Sequence, residues 1–208
     1  MKKFALCVCG IAAAFALAAQ ASADVLAYYS FTNATIVADT GSGISAMTWS
    51  STGTSYTFLS GLTQNAQPGF VAGNAFSQNG WVGDASYFQF TLDTTGYSAI
   101  GFSYAANRSS TGPATTSFQY SSNGGSTWTE FSTFATPSNA AQILDLSGIS
   151  ALDNNASVQF RIIGIGSTAA TGTMKIDNVL MTGIIPEPST ILLVGAGLLG
   201  LLALRRRS

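Results

Sequence analysis

Hydrophobic and polar residues alternate along two neighbouring stretches near the middle of the chain. In the stretch 87–92, Phe88, Phe90 and Leu92 are separated by polar residues, and 98–104 repeats the pattern. Successive side chains of a β-strand point to opposite faces, so each stretch gathers its large apolar side chains on one face. The pattern therefore predicts two strands, each buried on one face.

Further stretches rich in β-branched and aromatic residues recur at intervals of roughly 10–15 residues. They include 25–31, 117–121, 158–163 and 174–181, and loops rich in Gly, Ser, Asn and Pro join them. The one helical turn predicted in this region covers 148–154. About nine or ten short strands favour an all-β fold, a two-sheet antiparallel β-sandwich and within that class a jelly roll.

Turn residues predict two hairpins. The stretches 46–50 and 55–59 lie on either side of a Thr-Gly pair, and the stretches 117–121 and 127–131 lie on either side of the Asn-Gly-Gly sequence at 123–125. Glycine adopts positive φ at little cost, which suits a tight turn. We expect the two strands of each pair to be neighbours in one sheet.

The N-terminal segment, 1–23, has the pattern of a secretory signal peptide. Two lysines precede the apolar stretch 4–19, and Ala21 and Ala23 then form an A-x-A cleavage site. Cleavage at this site makes Asp24 the first mature residue. We therefore expect the chain to be exported through the secretion translocon, with a helical signal segment that is removed.

The C-terminal end consists of three blocks of different chemistry. A Pro-Glu-Pro turn comes first, the uncharged run 191–204 follows, and three arginines come last. As a helix the run would be roughly 21 Å long, shorter than a hydrocarbon core of about 30 Å. The arginines favour the cytoplasmic side of a membrane, which leaves the body of the protein outside the cytoplasm. The residues of the turn and of the basic cluster are Pro186, Glu187, Pro188, Arg205, Arg206 and Arg207.

This order of blocks closely resembles the PEP-CTERM sorting signal of Gram-negative bacteria. The resemblance implies that 184–208 is a sorting segment with a transmembrane helix, which holds the protein at the inner membrane as an intermediate. It also implies a partner, a membrane-embedded exosortase protease that cuts near Pro-Glu-Pro, and delivery to the cell surface or extracellular matrix. A plain C-terminal tail anchor is the alternative.

Charge and residue content narrow the function classes of the body, 24–183. The body has three basic residues against eight acidic ones, and so five more negative than positive charges at pH 7. Nucleic-acid binding depends on clustered cations, so this composition argues against a nucleic-acid partner. The chain has no histidine, and both cysteines lie in the signal peptide. The mature body therefore lacks the commonest general base, thiol nucleophiles and disulfides.

Two segments of the body resemble a known fold. The sequence 118–128, with Tyr-Ser-Ser-Asn-Gly-Gly-Ser-Thr-Trp at its centre and end, and the Ile-Asp-Asn-Val sequence at 176–179 are similar to concanavalin-like and galactose-binding-like jelly rolls of secreted bacterial proteins. The resemblance spans about 85–183. It implies a sandwich fold, and one such fold hosts many unrelated sites.

The three tryptophans of the body are candidates for stacking on sugar rings. Trp49 and Trp128 lie in alternating stretches, where aromatic residues mostly belong to the core. Trp81 follows Asn-Gly and precedes Gly-Asp, in a predicted loop. Because loops on a rigid scaffold often carry binding residues, Trp81 is the predicted ligand-binding residue.

Carboxylates of the body are weak candidates for a structural calcium site, which needs six to eight oxygen ligands. Asp39, Asp153 and Asp177 are the predicted ligands, and calcium is the one cofactor that the sequence suggests. Most aspartates adjoin turn residues, where the side chain bonds its own backbone. For Asp177 the alternative is an ion pair with Arg161 or Lys175 on a neighbouring strand.

Three functions follow from these observations. The first is a non-catalytic structural or adhesive component of exopolysaccharide or biofilm at the cell surface. The alternative is a carbohydrate-binding module that recognises the exopolysaccharide. The third is a secreted glycan-active enzyme, which requires two carboxylates placed on either side of the scissile bond. Glu130 is the only glutamate in 24–183, which makes that pair the least favoured reading.

Overall fold

The computed structural model describes residues 22–43, 45–50 and 55–186. These residues form eleven β-strands and one 3₁₀ turn, Ser150–Leu152. The first six strands are β1 (Ala23–Tyr29), β2 (Ser45–Ser50), β3 (Tyr56–Ser60), β4 (Asn74–Gln78), β5 (Tyr87–Leu92) and β6 (Ser98–Arg108). The other five are β7 (Thr115–Ser121), β8 (Thr129–Ala135), β9 (Ala140–Asp145), β10 (Val158–Ile165) and β11 (Met174–Ile184).

The strands form two sheets in which every pairing is antiparallel. The six-stranded sheet has the order β3-β4-β11-β6-β9, and β1 also pairs with β11. The five-stranded sheet has the order β2-β5-β10-β7-β8. The predicted two-sheet antiparallel β-sandwich is confirmed. The predicted signal helix and C-terminal hydrophobic helix lie outside the described residues, and no helix within the described ranges is long and apolar enough to cross a bilayer.

Aromatic side chains from both sheets fill the core. Phe102 of β6 lies 5.6 Å from Phe90 and 5.2 Å from Phe160 between ring centroids, and these two partners belong to the opposite sheet. All three are at most 1% exposed. Because the buried positions of β5 and β10 alternate strictly with half-buried ones, each strand contributes one face to this core. The apolar residues of the period-2 sequence pattern thus form the inner surface of the sandwich.

One of the two predicted hairpins is present. β7 and β8 pair across the Asn-Gly-Gly turn, where Gly124 and Gly125 have φ values of 68° and 86°. The prediction that 46–50 and 55–59 form a hairpin is wrong. β2 pairs with β5 in one sheet, whereas β3 pairs with β4 in the other. Their end residues still meet, since the rings of Trp49 and Tyr56 lie 4.6 Å apart.

The last strand, β11, is the central strand of its sheet. It has β6 on one side, and β4 followed by β1 on the other. Its register against β1 pairs Ala23 with Ile184 and Asp24 with Gly183. The predicted signal-cleavage junction and the start of the predicted sorting segment therefore lie side by side. Pro186 follows β11 and is exposed, whereas the other sorting residues and Ala21 lie outside the described ranges.

Candidate functional site

The outer face of the five-stranded sheet presents a polar surface. One row of directly paired residues crosses all five strands and consists of Thr48, Gln89, Arg161, Gln119 and Glu130. Gln89 and Arg161 point outward because each lies between two buried neighbours on its own strand. Directly paired residues share a face, so Thr48, which pairs with Gln89, and Gln119, which pairs with Arg161, lie on the same side, and Glu130 follows through its pairing with Gln119. We call this surface, with the flanking residues Tyr87, Trp128, Gln159 and Ser117, the polar face.

Arg161 is the centre of the polar face. Its guanidinium carbon lies 4.2 Å from the ring centroid of Tyr87 and 3.8 Å from that of Trp128. Its Nε donates a 2.8 Å hydrogen bond to Oε1 of Gln89. Contacts between a guanidinium and the faces of aromatic rings are attractive, more so when they are shielded from water. The three half-buried side chains therefore hold one another in place in the middle of the polar face.

Amide and hydroxyl groups around this centre are also held by hydrogen bonds. Gln89 donates through Nε2 to Oε1 of Gln159 at 3.3 Å, and Ser117 donates through Oγ to Oε2 of Glu130 at 2.7 Å. The β7–β8 turn closes over one end of the face. At Gly125, which has positive φ, an added Cβ would lie 2.6 Å from Oε1 of Gln159, so only glycine fits without a shift.

The structure corrects the prediction for Trp81. Its side chain is 0% exposed, its indole N–H donates a 2.8 Å hydrogen bond to the carbonyl of Gln78, and its ring packs 5.0 Å from that of Phe88. The loop that follows β4 folds over the end of the core and buries this large apolar ring. Trp81 therefore has no exposed face on which a ligand could stack.

Alternation predicts Trp128 in the core, but it lies on the polar face, against Arg161. It precedes β8 directly and is half-buried against Arg161, whereas Trp49 packs on the core as expected. The sequence does contain a signal for this difference. A five-residue turn segment of Ser, Asn and Gly covers 122–126, and only Thr127 separates it from Trp128. Alternation alone cannot show which side of a sheet such a residue covers.

The predicted calcium ligands do not form one cluster. Both carboxylate oxygens of Asp177 accept backbone N–H bonds, from Leu62 at 2.6 Å and from its neighbour in the chain at 2.8 Å. Asp39 accepts an N–H bond from Ser30 at 2.6 Å, and Asp153 accepts one from Ala99 at 3.0 Å. In the part of the chain that is described, no group of three acidic, histidine or cysteine side chains is arranged to hold a metal ion.

The buried carboxylate of Asp177 anchors a long loop instead of pairing with a cation. Burial raises its pKa to about 6, against the opposite effect of the two N–H bonds and of the Lys175 charge. Its neighbour Asn178 has a φ of 48° and donates through Nδ2 to the carbonyls of Leu62 and Gln64. The alternative prediction of an ion pair with Arg161 is wrong, because Arg161 lies on the other sheet.

Comparison with known proteins gives different matches for the C-terminal segment and for the body. The family model of the PEP-CTERM protein-sorting motif matches residues 185–207. No curated protein matches the sequence of this chain. Among solved structures, the CBM22-1 xylan-binding domain of Xyn10C from Paenibacillus barcinonensis is 11% identical, with a TM-score of 0.53 over 82% of this chain and 100% of that one. The CBM22-1-CBM22-2 tandem domain of the same protein is 12% identical, with a TM-score of 0.50 over 82% of this chain and 48% of that one.

At 11% and 12% identity, these likenesses show the fold alone. They agree with the jelly-roll sandwich that the sequence predicts for the body. The chain thus carries a PEP-CTERM protein-sorting motif at 185–207, behind a β-sandwich similar in fold to CBM22 domains.

Proposed function

We propose that this protein binds a polysaccharide through its polar face after export to the cell surface or extracellular matrix. The observation that carries the proposal is the stack of Tyr87, Arg161 and Trp128, set in a row of amide, hydroxyl and carboxylate side chains. We infer that the protein binds the polysaccharide without catalysing a reaction. Its structural or adhesive function, as predicted from the sequence, would then depend on this binding.

The chemistry of the face suits sugars. Each sugar hydroxyl both donates and accepts hydrogen bonds, and Gln89, Gln119 and Gln159 offer amide donors and acceptors on adjacent strands. With strands about 4.8 Å apart, a row across five strands is roughly 19 Å long, which provides an extended surface for a chain-like ligand. The rings of Tyr87 and Trp128 add apolar contact area beside these polar groups.

The sorting motif supports the location. A PEP-CTERM motif indicates export and processing at the membrane, which implies an exosortase as a partner. The predicted signal peptide at 1–23 adds the secretion translocon as a proposed partner. We propose an intermediate at the inner membrane of a Gram-negative cell and a final position within exopolysaccharide or biofilm. The similar domain of known structure is a xylan-binding domain, which supports polysaccharide as the ligand class for such a scaffold.

Affinity electrophoresis tests the proposal. The full chain, kept in a polyoxyethylene detergent that has no sugar headgroup, is run through native gels with and without the organism's own exopolysaccharide. We expect retardation of the wild type and its loss in Trp128→Ala, because truncation removes one ring of the stack. Ile143→Ala is the matched control, since Ile143 is 74% exposed on the other sheet. Equal mobility of the wild type with and without polysaccharide would refute the proposal.

A further inference from the structure

Among the residues that the structure describes, Arg161 is the one cation on the polar face. The body has three basic residues, and the other two lie elsewhere. Lys175 is on the six-stranded sheet, where its Nζ donates to the carbonyl of Ser60 at 2.7 Å. Arg108 is the last residue of β6, also on the six-stranded sheet, and it donates through Nη1 to the carbonyl of Ser109 at 3.3 Å. The charge of Arg161 is therefore isolated on its surface, in a body with five more negative than positive charges.

The environment of Arg161 leaves most of its hydrogen-bonding capacity free. Within the described residues, Gln89 is its hydrogen-bond partner, through Nε alone. A guanidinium has five N–H donors, so the other four make no hydrogen bond to the described residues. The carboxylate in the same row, Glu130, lies two strands away, at roughly 10 Å, and already accepts a bond from Ser117.

We propose that the polysaccharide bound at the polar face is anionic, and that Arg161 binds a carboxylate carried by its sugar units. This inference rests on the proposed function and adds the class of ligand to it. A planar guanidinium matches a carboxylate through two parallel N–H bonds, and such charge-assisted bonds are stronger than neutral ones. The rings of Tyr87 and Trp128 fix the plane of the fork and shield it from water, which strengthens the bond further.

The acidic body limits how such a ligand binds. Its net negative charge repels a polyanion at long range, whereas a direct ion pair acts at contact. At an ionic strength of 0.15 M the Debye length is about 8 Å, so a charge as far away as Glu130 is largely screened from Arg161. Selectivity for the anionic ligand is therefore expected at physiological salt, and it depends on contact with Arg161.

Two probes with one backbone test this inference. Polygalacturonate carries a carboxylate on each sugar, and its methyl-esterified form is neutral at the same position. The full chain in the same detergent is titrated with both polymers at 0.15 M NaCl. We expect the wild type to bind the acid form about tenfold more tightly than the ester, a ratio typical of one charge-assisted contact. We expect Arg161→Gln to bring the two affinities to within about twofold of each other.

Three comparisons separate the explanations. Arg161→Lys keeps the charge and loses the planar fork, so we expect an intermediate preference for the acid form. Lys175→Gln removes a charge on the other sheet and should retain the full preference for the acid form. Equal affinity of the wild type for both polymers, or a preference that survives Arg161→Gln in a folded variant, overturns the inference. Retention on neutral xylan that depends on Trp128 and not on Arg161 also overturns it, while leaving the proposed function standing. Failure to bind any of the polymers overturns both.

Discussion

The stability of this protein is expected to rise as the pH falls from 7 to 5, because of one buried carboxyl group. Asp177 is 1% exposed, and burial raises its pKa to about 6 in the folded chain. The ordinary value is 3.8, which applies when the chain is unfolded. Between these two values the folded state binds a proton that the unfolded state does not bind. The free energy of unfolding therefore increases as the pH falls through 6, and the increase ends near the unfolded value.

The magnitude follows from the number of protons taken up. Between pH 7 and pH 5, a group with a pKa of about 6 changes from mostly ionised to mostly protonated, whereas the unfolded group stays ionised. Between these pH values the folded chain takes up nearly one proton and the unfolded chain takes up almost none. The free energy of unfolding therefore rises by about 1 kcal/mol. For a domain of this size that equals a rise of roughly 2–4 °C in Tm. The chain has no histidine, so the group that ordinarily dominates this pH window is missing.

Thermal melts followed by circular dichroism at pH 5, 6 and 7 measure this effect. Asp177→Asn removes the titrating group, and we expect its Tm to be lower overall and independent of pH in this range. The amide keeps one acceptor oxygen and places its N–H₂ group against one of the two backbone N–H donors, that of Leu62 or that of Asn178. The donor that loses its acceptor is buried, which accounts for the lower Tm. A wild-type Tm that is constant or falls from pH 7 to pH 5 would refute the reasoning, as would the same pH slope in the variant.

Two further predictions concern the sorting segment and calcium. Replacing Pro186 and Glu187 together by alanine should leave a longer, membrane-bound form on immunoblots of cell fractions. The control Pro68→Ala, in an exposed loop of the body, should be processed normally. Release of the double variant at wild-type size contradicts a sorting role for Pro-Glu-Pro. EDTA should leave the Tm unchanged, because backbone N–H groups already occupy both oxygens of Asp177. A lower Tm in EDTA that calcium restores would reinstate the calcium site predicted at Asp39, Asp153 or Asp177.

Local pattern was sufficient for the individual strands. The predicted stretch 87–92 has the same bounds as β5, and the turn at 123–125 joins β7 to β8 as expected. Both features depend on neighbours in the sequence: alternation sets which side chains share a face, and glycine permits positive φ. The sorting motif at 185–207 is likewise read from consecutive residues.

Which strands pair and which side chains are buried could be determined only from the tertiary structure. β2 and β3 follow each other in the chain and belong to different sheets, since strand order is decided by how both sheets cover one core. For the same reason Trp81, in a loop, is buried, whereas Trp128 is half exposed.

The candidate site shows the same division between sequence and tertiary structure. By itself the sequence predicted an acidic β-sandwich without histidine, and it carries a PEP-CTERM protein-sorting motif at 185–207. Only the folded chain brings Tyr87, Trp128 and Arg161 together, from β5, the β7–β8 turn and β10. Positions so far apart in the chain meet through pairing of β10 with both β5 and β7, and no periodicity along one strand encodes that register.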